Sequence, residues 1–346
     1  MAAADLDAAN LSAVAYGGLI NEDVMQQIWD ISRIPLPFTD LAGTDTHSNA
    51  YYEWTQDTLA DPVSNNFQID GAVITDDDTG TGSRVGNHSG ISTKRVSIST
   101  RARESDTIGR SDELSYQVMM RQQELRRDVE AACLENNASV ASTGVGGVAG
   151  EVGGLPSWLQ TNSVSAGSGF TAGYYDTSTG LTVAAVMGTA GALAESDVRD
   201  AAENCYNEGG SPTVFMCVPS VARKFSEYLF TSSARVATLT SDTGQGSDAA
   251  TAKGSVNVFV TDFGVVLEIV PNRIQRNYTT DESAAFLIDP AHVRISYLYG
   301  YRVEPLAKTG LADIRLMSVD WTLVVTTEKA HAMIGSIDNT AAVTAS

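Results

Sequence analysis

Residues 51–107 read as a β-rich arm that cannot fold on its own, and at Ser111 the chain runs straight into a long amphipathic helix. The arm alternates over Phe67–Ile74 (Phe67, Ile69, then Ala72, Ile74) and again over Ile91–Thr100 (Ile91, Val96, Ile98). Alternation argues half-buried strands, and the polar run Asp76-Asp77-Asp78-Thr79-Gly80-Thr81-Gly82-Ser83 between them argues a turn. An extended hairpin with so few large apolar side chains is marginal in water by itself. Something must cover it, and the expected cover is another copy of the same chain.

The helix is expected from Ser111 to about Asn136. Ser111 suits the N-cap, and Asp112 and Glu113 fall in the first turn, where the helix dipole favours acids. Leu114, Val118, Leu125, Val129 and Cys133 recur at spacings of four and seven, giving one apolar stripe on a rod roughly 38 Å long. Ahead of the arm, residues 1–50 hold a short helix expected through Ile31, after which Pro35 and Pro37 force an extended path. Beyond the long helix, residues 138–180 are rich in Gly, Ser, Ala and Thr, with Leu155-Pro156-Ser157-Trp158-Leu159 as the one bulky anchor. Helices follow at Asp197–Asn207 and Val221–Leu229, with a buried strand at Thr213–Val218 between them. After a polar loop at Thr240–Gly254, strands are expected at Val256–Thr261, Val265–Val270, Ala284–Ile288, Val293–Leu298, Tyr301–Glu304 and Ile314–Thr326. A thin Ala/Thr/Ser tail closes the chain. Elements mix without strict βαβ order, which favours an α+β fold.

Charge narrows the partners. The 346 residues carry 42 acidic against 22 basic side chains, net −20. That balance opposes non-specific nucleic-acid binding and docking on an anionic membrane. Basic residues still cluster at Lys94, Arg95, Arg101, Arg103 and Arg110, and again at Arg121, Arg126 and Arg127. Arg126 with Glu130, and Glu124 with Arg127, fit helical pairing; the alternative is ion pairing between subunits. For Lys94, Arg101 and Arg103 the second reading is preferred, because the arm shows no neighbour of its own. Asp76, Asp77 and Asp78 are expected to contact a different partner from the basic base of the arm.

No catalytic constellation emerges. There is no nucleophile elbow and no phosphate loop, and Gly144-Val145-Gly146-Gly147 follows a helix instead of opening one. The four histidines, His47, His88, His292 and His331, are scattered, which opposes a metal site. Asp76–Asp78 followed by Gly80 begins like a calcium loop, but Asn87 stands where the closing Glu belongs. Cys133, Cys205 and Cys217 form no CxxC and read as buried hydrophobes. No catalytic, cofactor-binding or metal-binding residue is expected. The N-terminus lacks the pattern of a signal peptide, and the apolar run Leu181–Ala194 is too short for a membrane span.

The order of elements resembles the major capsid proteins of tailed bacteriophages with the Hong Kong 97-type fold, nearest to a compact family without an N-terminal scaffold domain. The residues carrying the likeness are Tyr52-Glu53-Trp54-Thr55-Gln56-Asp57-Thr58-Leu59, Arg84-Val85-Gly86-Asn87 leading to Lys94, Glu124–Glu130 and Leu155–Trp158. Further matches are Gly209-Gly210-Ser211-Pro212, Phe286–Pro290, Asp320–Leu323 and Glu328–His331. The resemblance implies an N-terminal arm (1–50), an extended hairpin loop (51–108) and a first peripheral part with the spine helix (109–184). An axial domain (185–300) and peripheral return strands with the tail (301–346) complete it. It implies a subunit that joins itself in hexamers and pentamers around double-stranded DNA bound without sequence specificity, with a portal at one vertex. Decoration proteins and any scaffold would be separate chains, and the N-terminus uncleaved. The rival of the same fold is an encapsulin-type compartment; a rival of another class is a secreted β-rich surface protein.

Overall fold

The computed structural model describes residues 35–60, 62–71, 73, 82–105, 112–224, 258–261, 263–275, 277–278, 281–308 and 310–341. The long helix, α3 (Glu113–Leu134), buries Leu114, Leu125, Val129 and Cys133, the stripe that the spacing predicts, with Val118 partly buried beside them. Its N-cap is Asp112, one residue beyond the expected Ser111. The Asp112 carboxylate accepts from the Leu114 N–H at 3.1 Å and from the Ser115 hydroxyl at 2.6 Å. Twenty-two residues give a rod of roughly 33 Å. Among the described residues two short helices precede it, α1 (Pro37–Leu41) and α2 (Thr100–Glu104). Pro37 does not extend the path as expected. It opens α1, where its missing N–H costs nothing and its fixed φ suits a first turn.

Helix α3 lies against a four-stranded sheet in the order β1 (Gly43–Thr46), β12 (Val293–Pro305), β13 (Ala312–Val325), β4 (Gly90–Ser99). The two long strands are antiparallel, β4 runs antiparallel to β13, and β1 runs parallel to β12. The expected strands at 293–298 and 301–304 are one element, so a domain break at 300/301 falls inside β12.

The second sheet has the order β5 (Ser163–Ser165), β14 (Ala332–Asp338), β11 (Glu282–Ile288), β8 (Val214–Cys217), β10 (Val266–Pro271), β9 (Val258–Val260). Successive side chains on a strand point to opposite faces, and both faces are covered here. Phe215, Cys217, Ala285, Leu287 and Ile334 pack with Val198, Ala201 and Cys205 of helix α4 (Glu195–Asn207). Val214, Met216, Phe286, Ile288 and Met333 join the core of α3, with Val319 and Trp321. The Asp197 carboxylate accepts from the Ala194 N–H at 2.8 Å and fixes the start of α4. Strand β14 replaces the thin tail expected after Thr326, and its Ala332–Ile334 run is fully buried.

The arm differs most from expectation. Its strands are β2 (Tyr51–Gln56) and β3 (Ser83–His88), antiparallel from Tyr51↔His88 to Gln56↔Ser83. Of the expected strand at 67–74, the described residues 67–71 and 73 are neither strand nor buried. Of the Ile91–Thr100 alternation, Val96 and Ile98 face inward while Ile91 is exposed, and the cover is the chain itself: β4 belongs to the four-stranded sheet. The helix expected through Ile31, the polar stretch 240–254, Asp76, Asp77, Asp78 and Arg110 lie outside the described residues.

Candidate assembly surface

The root of the β2–β3 hairpin is fixed by aromatic rings and one buried amide. Trp54 meets Trp158 at 5.3 Å between centroids, and Trp158 stacks on Tyr175 at 5.5 Å and 6°. Tyr175 exchanges a 2.9 Å hydroxyl hydrogen bond with Tyr51, whose ring sits 4.6 Å from His88. Burial pushes the Tyr51 phenol upward in pKa. Asn87, fully buried, donates to the carbonyls of Leu323 (2.9 Å) and Gly153 (3.2 Å) and accepts from the Gly153 N–H (3.0 Å). Gly86 has to be glycine, since a Cβ there would lie 2.6 Å from the Tyr51 ring and 2.9 Å from the Tyr52 carbonyl oxygen. Partners at residues 153–183 and 323 thus hold a hairpin that residues 51–107 cannot hold alone. The expected irregular segment 138–180 supplies most of this support.

Between the strands, the described residues 57–60, 62–71 and 73 present the opposite picture. Leu59 is 98 % exposed and Phe67 83 %, with Val63, Ile69 and Val73 similarly bare. Exposed apolar side chains concentrated on one loop mark a surface that another molecule covers.

The charged candidates divide. Lys94 pairs with Asp128 on α3 at 2.6 Å, and Arg103 with Asp313 at 3.0 Å and Asp112 at 3.8 Å. Lys308 also holds Asp313, at 2.5 Å, and the two cations pull the Asp313 carboxyl below its usual range. The premise that the arm has no neighbour in its own chain is therefore wrong for Lys94 and Arg103: β4 is a sheet strand lying on α3. Arg95 and Arg101 are exposed and have no ion pair among the described residues. Arg126 lies over the Tyr301 ring at 5.4 Å, and the Arg127 Nε is buried without a partner. Glu124 pairs with Arg121 instead of Arg127.

Glu130 is corrected outright. It is fully buried, so it is not a contact between subunits, and it does not pair with Arg126. Its carboxylate accepts from the Phe38 N–H (2.8 Å), the Thr39 N–H (2.7 Å), the Thr39 hydroxyl (2.5 Å) and the Asn272 amide (2.8 Å). A buried carboxylate needs this saturation, and here it ties α1 to the long helix. Sequence reasoning missed it because the donors lie 91 to 142 positions away.

The buried thiols are poor nucleophiles. Burial pushes Cys205 and Cys217 up to about 12 and Cys133 well above its usual value. Among the described residues, no three His, Cys, Asp or Glu side chains group to hold a metal ion, and no helix is long and apolar enough to cross a membrane.

Two layered sheets, a long helix across one of them and a hairpin projecting from a fixed root are the architecture of a capsid shell subunit. Solved structures share it over nearly the whole chain. The SrpI encapsulin of Synechococcus elongatus PCC 7942 aligns at a TM-score of 0.56 and 13 % identity, over 96 % of this chain and 98 % of that one. The capsid of a native GTA particle aligns at 0.57 and 11 %, over 94 % and 98 %. Gordonia phage Cozz aligns at 0.55 and 14 %, over 96 % of each chain. At such identities the likeness is one of fold. No curated protein matches the sequence. The family described as SU10 major capsid protein matches residues 7–338, and the chain belongs to it. Its fold is the Hong Kong 97-like capsid fold, its role that of a self-assembling structural subunit, and its place the virion capsid.

Proposed function

We propose that the subunit assembles as hexamers and pentamers into an icosahedral shell around double-stranded DNA, and that residues 57–82 lie across the adjacent subunit as a strap. A portal occupies one vertex, and the chain carries no catalytic step. The observation that carries the strap is the exposed apolar loop on a rigid root: a fixed base aims it, and bare Leu59, Phe67 and Ile69 call for a cover. An acid excess of 20 charges supports packaging without adhesion, since an acidic inner wall repels phosphate and leaves DNA mobile. Residues near 185–300 and the β12–β13 hairpin serve as axial and peripheral contacts.

The test replaces residues 60–80 with a short Gly/Ser link, keeping β2 and β3. Electron microscopy should then show capsomers or single subunits where the unaltered chain gives closed shells. Closed shells of normal stability from the shortened chain would refute the strap. The fold shared with SrpI encapsulin supports a second reading, a compartment for protein cargo. Shells purified from infected cells separate the two, because only the capsid reading expects nuclease-protected DNA inside.

A further inference from the structure

An open groove of about 450 Å³ lies between β4, the middle of α3 and the residues after β10. Its charged and polar walls are Lys94, Glu124, Arg127, Asp128, Arg273 and Gln275. Three of these charges are spent inside the chain: Lys94 holds Asp128, and Glu124 holds Arg121. Arg127 and Arg273 have no acidic partner among the described residues, so the groove holds two unpaired cations in a strongly acidic protein.

Two buried polar atoms in this groove also lack partners. One is the Arg127 Nε, a donor; the other is the Gln275 Oε1, an acceptor. Gln275 is 6 % exposed, and its amide nitrogen is already bound to the Ala284 carbonyl at 2.6 Å, which sets the direction of its oxygen. Neither atom has accessible surface, so a docked segment would meet the arginines through their outer nitrogens, and the group those need is a carboxylate. An extended acidic peptide supplies it.

We infer that this groove is the dock for the Asp76-Asp77-Asp78 run of a neighbouring copy. The inference rests on the strap reading above and adds its receptor. The choice of occupant follows from charge and reach. Asp76–Asp78 is the one run of three consecutive acids in the chain, and it falls in the hairpin loop where Leu59, Phe67 and Ile69 are bare. Asp76–Asp78 lies five to seven residues before the root at Ser83, which lets it reach roughly 17–23 Å from β3 at about 3.3 Å per residue. Carboxylates meeting Arg127 and Arg273 would set register and partner choice between subunits, the use to which interfacial charge is best suited.

Three assembled variants test it: Arg127→Glu with Arg273→Glu, Asp76→Arg with Asp77→Arg and Asp78→Arg, and all five together. Each single-sided set should shorten shell lifetime at moderate salt by about tenfold or more, and the combined set should recover most of the loss. Free subunits of every variant should melt where the unaltered chain melts, because the contact lies between copies. Arg127→Gln with Arg273→Gln serves where the reversed groove fails to fold, with a smaller loss in the same direction. Additive losses in the combined set would overturn the dock. So would unchanged lifetime with less DNA retained, which would make the groove a phosphate site. In both cases closed shells still form and the capsid reading stands; absence of closed shells from the unaltered chain would sink that reading instead.

Discussion

The root and the tip of one hairpin are neighbours in sequence and are held by opposite means. At the root, β2 and β3 meet Trp158, Tyr175, Gly153 and Leu323 of their own chain, and every hydrogen-bonding atom of the Asn87 side chain is matched. In the loop between them, Leu59, Phe67 and Ile69 face solvent. Both stretches have strand-like composition. The difference is whether the chain supplies a second surface within reach, since a β element draws its stability from what packs on its faces. A shell subunit gains from this division: the rigid part aims the strap, and the bare part stays unsatisfied until a neighbour arrives.

The comparison can be broken most forcefully at the root. Trp158→Ala removes the ring between Trp54 and Tyr175 and should cost the free subunit about 3–5 kcal/mol in urea unfolding. A loss below about 1 kcal/mol would mean that the rings do not hold the hairpin. Next in size is Glu130→Ala, which strands four donors on α1, Thr39 and Asn272 and should cost about 3 kcal/mol. Glu130→Gln should cost less, because its amide oxygen still accepts.

Acid should loosen the same fixed body. His331 is fully buried, its Nδ1 accepts from the Asp289 N–H at 3.1 Å, and burial lowers its pKa from 6.5 to about 4. A depressed histidine favours the neutral form when folded, so its contribution is complete above pH 6.5 and fades as pH falls towards 4. Across that window the free subunit should lose at most about 3 kcal/mol, and His331→Gln should flatten the slope. A slope unchanged by the substitution would assign the acid response elsewhere.

The smallest effects on the free subunit belong to the loop and the surface. Phe67→Ser with Ile69→Ser should change unfolding by less than about 0.5 kcal/mol while preventing closed shells in electron microscopy. Lys94→Met, which breaks the exposed pair with Asp128, should stay within about 1 kcal/mol. A large loss from the loop pair would mean that the loop packs on its own chain.

Much of the body was legible in sequence because its signals are local. The stripe of α3 repeats within one element, and the period of two at Val96 and Ile98 marks the buried face of β4. What stayed hidden depends on distant partners. Glu130 carries the same local signature as any helical acid near an arginine, and only the folded chain brings Phe38, Thr39 and Asn272 to it. Lys94 looked unpaired because nothing in residues 51–107 reveals that β4 lies on α3. The 67–74 alternation misled for the converse reason: a period-two pattern shows what a segment could bury, not that its own chain will bury it. Strand β14 hid in a short Ala-Met-Ile run, too brief to stand out beside the polar tail. Of the groove, Lys94 and Arg127 were visible, while Arg273 and Gln275 carried no signal before they were placed beside Arg127.

Hydrogen exchange on dissociated subunits and on intact shells compares root and strap in a single experiment. The account predicts that 51–56 and 83–88 are protected in both forms, while 57–82 exchange freely in the subunit and become protected in the shell. Equal exchange of 57–82 in the two forms, or a root that gains its protection only on assembly, would contradict it.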